Sequence, residues 1–490
     1  MKPGVKIVKN IIALISGQTY GLIMNLLSIG MVARYLPLNE FGDYGYVLAI
    51  SMTYAIIIDM GTNQIMIREI VRRKDLTGKI FSACFMLKAF FSIIGFLLIV
   101  ITVHLTSDSR QVLNSAYICA LGIGFFMMGD LFEDSFKAYE KMKYNAYLKI
   151  IEETSFIAGI FTVVYFDFGV YGVFSAQLLT YAIRFVTGYI MVSKNFFSPR
   201  ITWDLPTIKW ILKESYPIGI SKIFRKISLR IDTILLKIFR TREEVGLYHG
   251  VYRIIIVAQF IPRNITDSIF PLFSKYTDSK VSLNAAFEKS FKYIFIVVLP
   301  LIFSVFLMSD KIVTMILGNK FSSASPLLRL LVLVWIVTFF SILCNKMLNA
   351  SNHQKLATIA TGICLIVNVI LDLVLIPGFG YMGAGIATCA AEVVLFTVSF
   401  GFVYKYVCKV NILKVIIKPL LCGGIATISG LFFTNGLSHY ASVIGIITSC
   451  TVYMLLLIVL SVVEKEELII MKEVVYSAKN KLFKTASLKV

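Results

Sequence analysis

The chain has 490 residues, of which 58% are hydrophobic and only 16% are charged, and its formal net charge is +20. Ordinary soluble proteins are about half apolar and about a quarter charged, so this composition excludes a soluble globular enzyme and indicates a polytopic membrane protein. The apolar runs are long and continuous, which favours helices over a β-barrel. The positive charge is expected in cytoplasmic loops and beside anionic headgroups, and no nucleic acid partner is predicted.

Apolar stretches of about 20 residues recur along the chain, each long enough to cross a bilayer as a helix. The sequence therefore predicts an all-α integral membrane protein with about 14 transmembrane helices. They are placed near residues 9–32, 43–65, 80–103, 114–134, 145–166, 170–192, 212–238, 245–270, 290–308, 326–348, 355–376, 380–404, 412–433 and 440–462. The first stretch lacks the small-residue pattern of a cleavage site, so we expect it to be retained as the first helix.

The loops between these spans alternate between lysine-rich and lysine-poor. Basic residues precede the first helix, and they follow the second, fourth, sixth, eighth, tenth and twelfth. By the positive-inside rule these loops face the cytoplasm, which places both termini there. The basic tail is expected to be solvated or bound to lipid headgroups.

One predicted span, residues 221–239, is unusually rich in charge for a membrane helix. It carries Lys222, Arg225, Lys226, Arg230, Asp232 and Lys237, and the first three fall on one helical face at about 100° per residue. Charges at bilayer depth are costly, so they normally face a bundle interior or a wet cavity. The alternative is a basic helix on the membrane surface, but losing this span would turn the later lysine-rich loops outward. The stretch is therefore predicted to cross the membrane and to face an anionic ligand.

Short motifs recur at similar offsets in the two halves of the chain. NEFGDY at 39–44 is similar to EEVGLY at 243–248, FGVYG at 168–172 to FGYMG at 379–383, and AYEKMK at 138–143 to ASNHQK at 350–355. Six-helix repeats with substrate bound between them are an established transporter plan. We therefore predict two pseudo-symmetric six-helix lobes, residues 1–205 and 206–405, then two C-terminal helices within 406–462 and a basic cytoplasmic tail, 463–490.

Further cations lie within the predicted spans. Arg253 and Arg263 fall in the eighth span, and a guanidinium suits phosphate because it donates two parallel hydrogen bonds. The alternative is structural pairing, of Asp232 with a neighbouring arginine or of Asp267 with Arg263 one turn away. Basic residues outnumber Asp232 locally, so we expect a cation to remain for a ligand. The predicted substrate-binding residues are Lys222, Arg225, Lys226, Arg230, Arg253 and Arg263.

Acidic residues within the spans are fewer, and any of them can carry a coupling H+ or Na+. The ion-coupling candidates are Asp59, Asp232, Asp267 and Asp372. A separate acidic group, Asp130, Glu133 and Asp134, shares one helical face and could bind a cation. Because Lys137 follows at once, the alternative is a solvated helix end with local ion pairs.

Motifs of catalysis and cofactor binding are missing from the sequence. No GxxxxGK[ST] loop occurs, the eight cysteines lie singly, and the four histidines are scattered. The sequence therefore predicts no metal site, no cofactor, no catalytic residue and no enzyme activity. A membrane polysaccharide polymerase or ligase remains an alternative, although such enzymes usually need a long external loop and none is predicted here.

Several motifs resemble those of a known family. ARYLPLNEFGDY at 33–44 is similar to a pattern of polysaccharide flippases, and so are RID at 230–232, VGLY at 245–248 and FG at 379–380. The chain thus resembles the Wzx-type O-antigen and exopolysaccharide flippases of the multidrug/oligosaccharidyl-lipid/polysaccharide exporter superfamily. One departure is Pro37-Leu38, which stands where that family has Gly-Pro.

The resemblance implies two six-helix lobes around a cationic cavity that opens to each side in turn. The implied cargo is an undecaprenyl-diphosphate-linked oligosaccharide, moved between leaflets of a bacterial inner (plasma) membrane, with Arg225, Arg230, Asp232 and Arg253 among the cavity charges. Implied partners are membrane lipids, a coupling ion, a polysaccharide polymerase and a chain-length regulator. A multidrug/cation antiporter of the same superfamily is the alternative, although a cationic drug would favour acidic residues where this chain has basic ones.

Overall fold

The computed structural model describes residues 3–107, 109–228, 230–259, 266, 273, 279–410, 412–434, 439–460 and 462. Within these ranges some side chains, including those of residues 3–15 and 220–226, lie outside the description. The described residues are helical and contain no strand, which confirms the predicted all-α class.

In the first part of the chain the described helices follow one another with short connections. They are α1 (Pro3–Tyr35), α2 (Leu38–Asp59), α3 (Thr62–Arg72), α4 (Thr77–Thr106), α5 (Arg110–Ala138), α6 (Met142–Phe166), α7 (Gly169–Asn195), α8 (Leu205–Ser228), α9 (Ile231–Phe239) and α10 (Arg242–Ala258). A short 3-10 helix, Lys74–Leu76, joins α3 to α4.

The later part of the chain contains shorter helices beside very long ones. They are α11 (Lys280–Leu307), α12 (Ser309–Leu317), α13 (Ser325–Leu333), α14 (Trp335–Ala350), α15 (Gln354–Tyr406), α16 (Ile412–Thr434) and α17 (His439–Val459). A 3-10 helix, Asn319–Ala324, lies between α12 and α13.

Six described helical segments are long and apolar enough to cross a membrane. They are Leu38–Arg72, Lys74–Thr106, Arg110–Ala138, Val281–Leu307, Asn319–Ala350 and Gln354–Tyr406. The protein is therefore a multi-pass membrane protein, and the full number of about 14 spans remains a prediction.

Four of the predicted spans have a different shape from the one expected. The span at 43–65 breaks because Met60 and Gly61 are left-handed, with φ of 42° and 79°. The span at 212–238 is divided into α8 and α9, so the charged stretch 221–239 is not one continuous helix. The spans at 355–376 and 380–404 form the single helix α15, which kinks at Gly380. Breaks of this kind are tolerated at membrane depth where protein or a cavity surrounds the backbone.

The sequence repeat corresponds to a repeat of backbone geometry. Gly169 and Gly380, in the two FG motifs, have φ of 59° and 58°, a conformation that glycine adopts at little cost. Each lies beside the glutamate of the motif in its own half, Glu40 near Gly169 and Glu244 near Gly380. Glu244 accepts a hydrogen bond from the Tyr381 amide at 2.9 Å. In both halves, therefore, the glutamate of the first motif lies beside the left-handed glycine of the second.

The third motif pair repeats its backbone in the same way. Glu140 and Asn352 stand at matching positions, and both are left-handed, with φ of 55° and 62°. The residue after each donates its amide to a carbonyl five residues earlier, at 2.9 Å and 2.8 Å. This agreement supports the predicted pseudo-symmetry, while the boundaries of the two lobes remain a prediction.

Packing divides the chain into two compact units. One comprises Met1–Phe260, Ser309–Leu331 and Lys355–Thr397, and the other comprises Ile261–Met308, Val332–Gln354 and Val398–Val490. In the first unit Phe81, Phe132 and Phe136 belong to a buried cluster to which the helices from α3 to α8 contribute. In the second unit α11 meets α14, where the rings of Phe291 and Phe340 are 4.5 Å apart. The site residues that follow lie in the first unit.

Candidate functional site

Two of the predicted substrate-binding arginines lie near each other. Arg230 stands at the break between α8 and α9, and Arg253 lies in α10. Both are half-buried, and they are close enough to interact electrostatically with each other and with the buried His249. Among the described residues neither forms an ion pair within 4 Å, and Nε of Arg253 is buried without a hydrogen-bond partner. The arrangement leaves guanidinium donors available to an anion.

The other predicted substrate-binding residues cannot be placed beside this pair. The backbone of Lys222, Arg225 and Lys226 belongs to α8, but their side chains lie outside the description. Arg263 lies outside the described residues. A role for these four residues stays a prediction.

Two of the predicted ion-coupling residues, Asp232 and Asp372, meet in the interior of the first unit. Asp232 in α9 is 4% exposed and Asp372 in α15 is fully buried. Asp232 accepts hydrogen bonds from the hydroxyl groups of Tyr248 and, at 2.9 Å, Thr388. Its described hydrogen-bond partners are therefore neutral hydroxyl groups and not the neighbouring arginine considered above.

The two carboxyl groups lie close enough to share a hydrogen bond. No donor among the described residues reaches either oxygen of Asp372 or Oδ1 of Asp232. Two ionised carboxylates repel each other and have no proton to donate in a hydrogen bond. Two adjacent buried carboxyl groups therefore do not both stay ionised unless a cation binds them. A proton or a small cation resolves this conflict, and carboxylate, amide and hydroxyl oxygens are ligands that hard cations accept. Asn368, one turn before Asp372 on α15, is also buried.

The remaining ion-coupling candidates are placed differently. Asp59, at the end of α2, lies 3.9 Å from the buried ammonium group of Lys88. That ammonium group also donates to the Met127 carbonyl at 2.9 Å. Asp59 thus already has a cationic partner, so it is a weaker candidate for binding a mobile ion than Asp232 and Asp372. Asp267 lies outside the described residues.

The acidic face of α5 belongs to a network that the sequence did not predict. Arg184 of α7, with a side chain only 2% exposed, lies 2.6 Å from Asp130, 2.6 Å from Glu133 and 3.1 Å from Glu152. The local pairs with Lys137 are also present, at 3.0 Å from Asp134. The local ion pairs of this end of α5 are therefore joined by a buried cation from a distant helix, which the sequence did not indicate.

The motifs at 39–44 and 243–248 pack against each other, which brings α2 against α10. A methyl group added to Gly42 would lie 1.8 Å from the Arg242 carbonyl oxygen, and one on Gly246 would lie 2.7 Å from the Leu38 carbonyl oxygen. Real side chains do not approach so closely, so both glycines are needed for this packing. The predicted topology places this end of the helices on the outer side of the membrane.

Ion pairs join α2 to α9 and α10 at the same end of these helices. Asp43, 1% exposed, lies 2.9 Å from the Arg242 guanidinium and 3.2 Å from the Lys237 ammonium. Sequence reasoning counted Lys237 among the charges of residues 221–239 and used the surrounding motifs as a repeat, but it did not connect Asp43 with Lys237 and Arg242. Glycine at the same place in both motifs, with a carboxylate beside it in one, is the pattern that points to the contact.

Long apolar helices, a pair of arginines without an ion-paired carboxylate among the described residues and a buried carboxyl pair together define a polytopic membrane protein with charged groups in its interior. The fold is similar to that of a solved lipid II flippase MurJ in an inward closed conformation, with a TM-score of 0.77 and 15% identity, covering 91% of this chain and 98% of that chain. The chain belongs to the polysaccharide biosynthesis protein family, whose model matches residues 7–277. The MatE family model matches residues 220–374.

Two relatives illustrate this membership. The chain is 28% identical over 159 residues to a Haloferax volcanii protein named "Probable low-salt glycan biosynthesis flippase Agl15", covering 32% of this chain and 34% of that protein. It is 22% identical over 344 residues to the lipopolysaccharide biosynthesis protein WzxC of Escherichia coli, covering 65% of this chain and 66% of that protein. The chain thus spans from about a third to just under two thirds of these relatives. The predicted resemblance to polysaccharide flippases is confirmed at the level of the family.

Proposed function

We propose that this protein is a flippase that moves an undecaprenyl-diphosphate-linked oligosaccharide from the cytoplasmic to the outer leaflet by alternating access, with no covalent chemistry. The observation that carries the proposal is the half-buried pair Arg230 and Arg253, which has no ion-paired carboxylate among the described residues. Such cations are costly in a membrane bundle unless a ligand brings negative charge. Family membership and the names of the two relatives support a glycan cargo.

We place the protein in a bacterial inner (plasma) membrane with both termini in the cytoplasm. The alternation of lysine-rich and lysine-poor loops supports this orientation. A C-terminal fusion to a phosphatase that works only outside the cytoplasm is expected to be inactive, and an active fusion would reverse the orientation. A polysaccharide polymerase and a chain-length regulator are the proteins proposed to act on the delivered cargo.

Replacing Arg253 by alanine is expected to weaken the binding of undecaprenyl diphosphate by about tenfold to a hundredfold, the loss typical of a hydrogen bond to a charged group. Arg253→Lys keeps the charge but loses the two parallel donors of the guanidinium, so its affinity for undecaprenyl diphosphate is expected to lie between those of the wild type and Arg253→Ala. Native mass spectrometry of the purified protein, titrated with undecaprenyl diphosphate, measures the affinity. Surface polysaccharide in a deletion strain of the host, complemented with each variant, measures transport.

Arg200→Ala is the matched control, because Arg200 is exposed in the connection before α8. It removes the same charge away from the arginine pair and is expected to leave binding and surface polysaccharide unchanged. Wild-type binding and wild-type polysaccharide with Arg253→Ala would remove the main support for the proposed function.

The flippase is further proposed to be driven by H+ or Na+ bound at Asp232 and Asp372. The support is geometric, because these buried carboxyl groups meet without a described donor between them while Tyr248 and Thr388 supply hydroxyl groups. Binding and release of the ion at Asp232 and Asp372 change the net charge where α9 meets α15. Such a change can bias two arrangements of the bundle only if the ion binds one of them more tightly.

Asp372→Asn is expected to abolish ion-driven transport without lowering thermal stability, because it removes a buried negative charge that has no described partner. Transport into proteoliposomes, measured against Na+ at fixed pH and against pH at fixed Na+, identifies the driving ion. Asp310→Asn is the control, since Asp310 is 61% exposed and paired with Arg329, and it is expected to retain the ion dependence. An Asp372→Asn protein with wild-type ion dependence would rule out this position.

A multidrug/cation antiporter is a second candidate, favoured by one observation. The MatE model match, residues 220–374, contains both members of the carboxyl pair. A cationic drug, however, would meet Arg230 and Arg253 nearby, which repel it. Increased drug susceptibility of a deletion strain, with surface polysaccharide intact, would favour the antiporter over the flippase.

A further inference from the structure

A cavity lies between α1, α5, α6 and α7 of the first unit. Its volume is about 310 Å³. At about 30 Å³ for each water, it has room for about ten water molecules, which is ample for one sugar ring. The charged residues of its lining are Asp130, Glu133, Lys137, Lys149, Glu152 and Arg184. Its other lining residues include Asn145 and Phe126.

The charges of the lining balance one another. Three carboxylates face three cations, and each cation is already paired, with Arg184 bound to all three carboxylates. Lys149 lies 3.2 Å from Glu152 and 2.7 Å from Glu153. No group of three His, Cys, Asp or Glu side chains within the described ranges is arranged to hold a metal. The cavity therefore suits a neutral polar ligand better than an ion.

Two polar groups of the lining are left unsatisfied, and they are of opposite kinds. Asn145 is 8% exposed, and its Oδ1, an acceptor, has no hydrogen-bond partner. Nε of Arg184, a donor, lies 3.1 Å from Glu152 but is not aligned for a hydrogen bond with it. A cation could bind only the acceptor Oδ1 of Asn145, and an anion could bind only the donor Nε of Arg184. A hydroxyl group both donates and accepts, so a polyol satisfies both kinds of group.

A neighbour of the cavity lies within electrostatic range of the arginine that is proposed to hold the diphosphate. Glu153 follows the lining residue Glu152 on α6 and interacts electrostatically with Arg253. In a diphosphate-linked oligosaccharide the first sugar is bonded directly to the diphosphate. The cargo therefore carries a sugar ring directly beside the group that Arg253 is proposed to hold. The cavity wall also includes the Phe126 ring, with the Arg184 guanidinium stacked 4.6 Å from its centre.

We propose that this cavity binds one neutral sugar ring of the cargo, with hydroxyl groups bonded to Asn145 and Arg184. The inference rests on the proposed flippase function for the identity of its ligand. It adds a saccharide subsite within the helices of the N-terminal part of the chain, separate from the arginine pair.

The test replaces Asn145 by leucine in the purified full-length protein. The probes are glucose, galactose, rhamnose and N-acetylglucosamine, followed by saturation-transfer NMR. We expect at least one sugar to bind the wild type and its affinity to fall by about tenfold in Asn145→Leu, as for one lost hydrogen bond. Thermal stability is expected to stay the same or rise, because Oδ1 of Asn145 has no bond within the protein to lose. Asn195→Leu, on the exposed end of α7, makes the same change outside the cavity and is expected to keep sugar binding.

Three outcomes would overturn the inference: no sugar bound to the wild type, equal sugar binding by Asn145→Leu, or stabilisation by Na+ or K+ alone that Asn145→Leu abolishes. Undecaprenyl diphosphate binding is measured in parallel and is expected to be unchanged in Asn145→Leu. Lipid binding without sugar binding overturns the cavity inference and leaves the flippase proposal standing. Sugar binding that depends on Asn145, without lipid binding, supports a saccharide cavity and contradicts the flippase proposal.

Discussion

Replacing Arg184 by alanine is expected to destabilise the folded protein by about 3–5 kcal/mol, because breaking a buried ion pair leaves charges without compensation. The arginine lies within 3.1 Å of carboxylate oxygens from three residues on two other helices. Its removal leaves those carboxylates close together with only the two lysines to balance them. Thermal unfolding of the purified protein in detergent measures the effect.

The control for this prediction is Arg72→Ala. Arg72 is 65% exposed and lies 3.7 Å from Glu69, so its loss is expected to cost about 0–1 kcal/mol. The loss of stability in Arg184→Lys is expected to lie between those of Arg184→Ala and Arg72→Ala, since one ammonium group cannot contact all three carboxylates as the planar guanidinium does. Equal melting of Arg184→Ala and Arg72→Ala would show that the network adds nothing to stability.

Replacing Gly42 by alanine is expected to prevent the close packing of α2 on α10 and to stop transport. The added methyl group would lie 1.8 Å from a backbone carbonyl oxygen, which cannot rotate away as a side chain can. Overpacking of this kind costs about 1–3 kcal/mol or more, and such a difference shifts the balance between two conformations by about 5- to 150-fold. The predicted topology puts this contact on the outer side, so the protein should favour an outward-open arrangement.

Spin labels at the exposed positions Pro37 and Thr241 report this change as a distance distribution. Gly42→Ala is expected to lengthen the distance and to abolish surface polysaccharide in the complemented strain. Gly78→Ala is the matched control, because a methyl group there meets no atom within 4 Å. A wild-type distance and normal transport in Gly42→Ala would show that the helices never need this approach.

Features that depend on local pattern could be predicted from the sequence. Long apolar runs predicted the helices, and the family motifs predicted the membership that the family model confirms. The repeated motifs predicted matching backbone turns, found at Gly169 and Gly380. These succeed because hydrophobic length and glycine conformation are properties of a few neighbouring residues.

Features that depend on contacts between distant residues could not be predicted. Arg184 is 54 residues from Asp130 along the chain, and Thr388 is 156 residues from Asp232. The count of charges near Asp232 predicted that a cation would remain unpaired. The partner suggested for Asp232 was a neighbouring arginine, whereas its described partners are the hydroxyl groups of Tyr248 and Thr388. The break between α8 and α9 was also missed, because the apolar pattern there continues across it.

The shared turns of the two halves contrast with what each half carries. At the spacing that pairs Glu40 with Glu244, the counterparts of Arg230, Asp232 and Arg253 are Leu26, Ser28 and Ala49. At the spacing of the FG motifs, Arg184 corresponds to Leu395. The repeated backbone therefore carries different side chains in each half: the two halves share their glycine turns, whereas the charges proposed to bind the cargo and the ion occur only once.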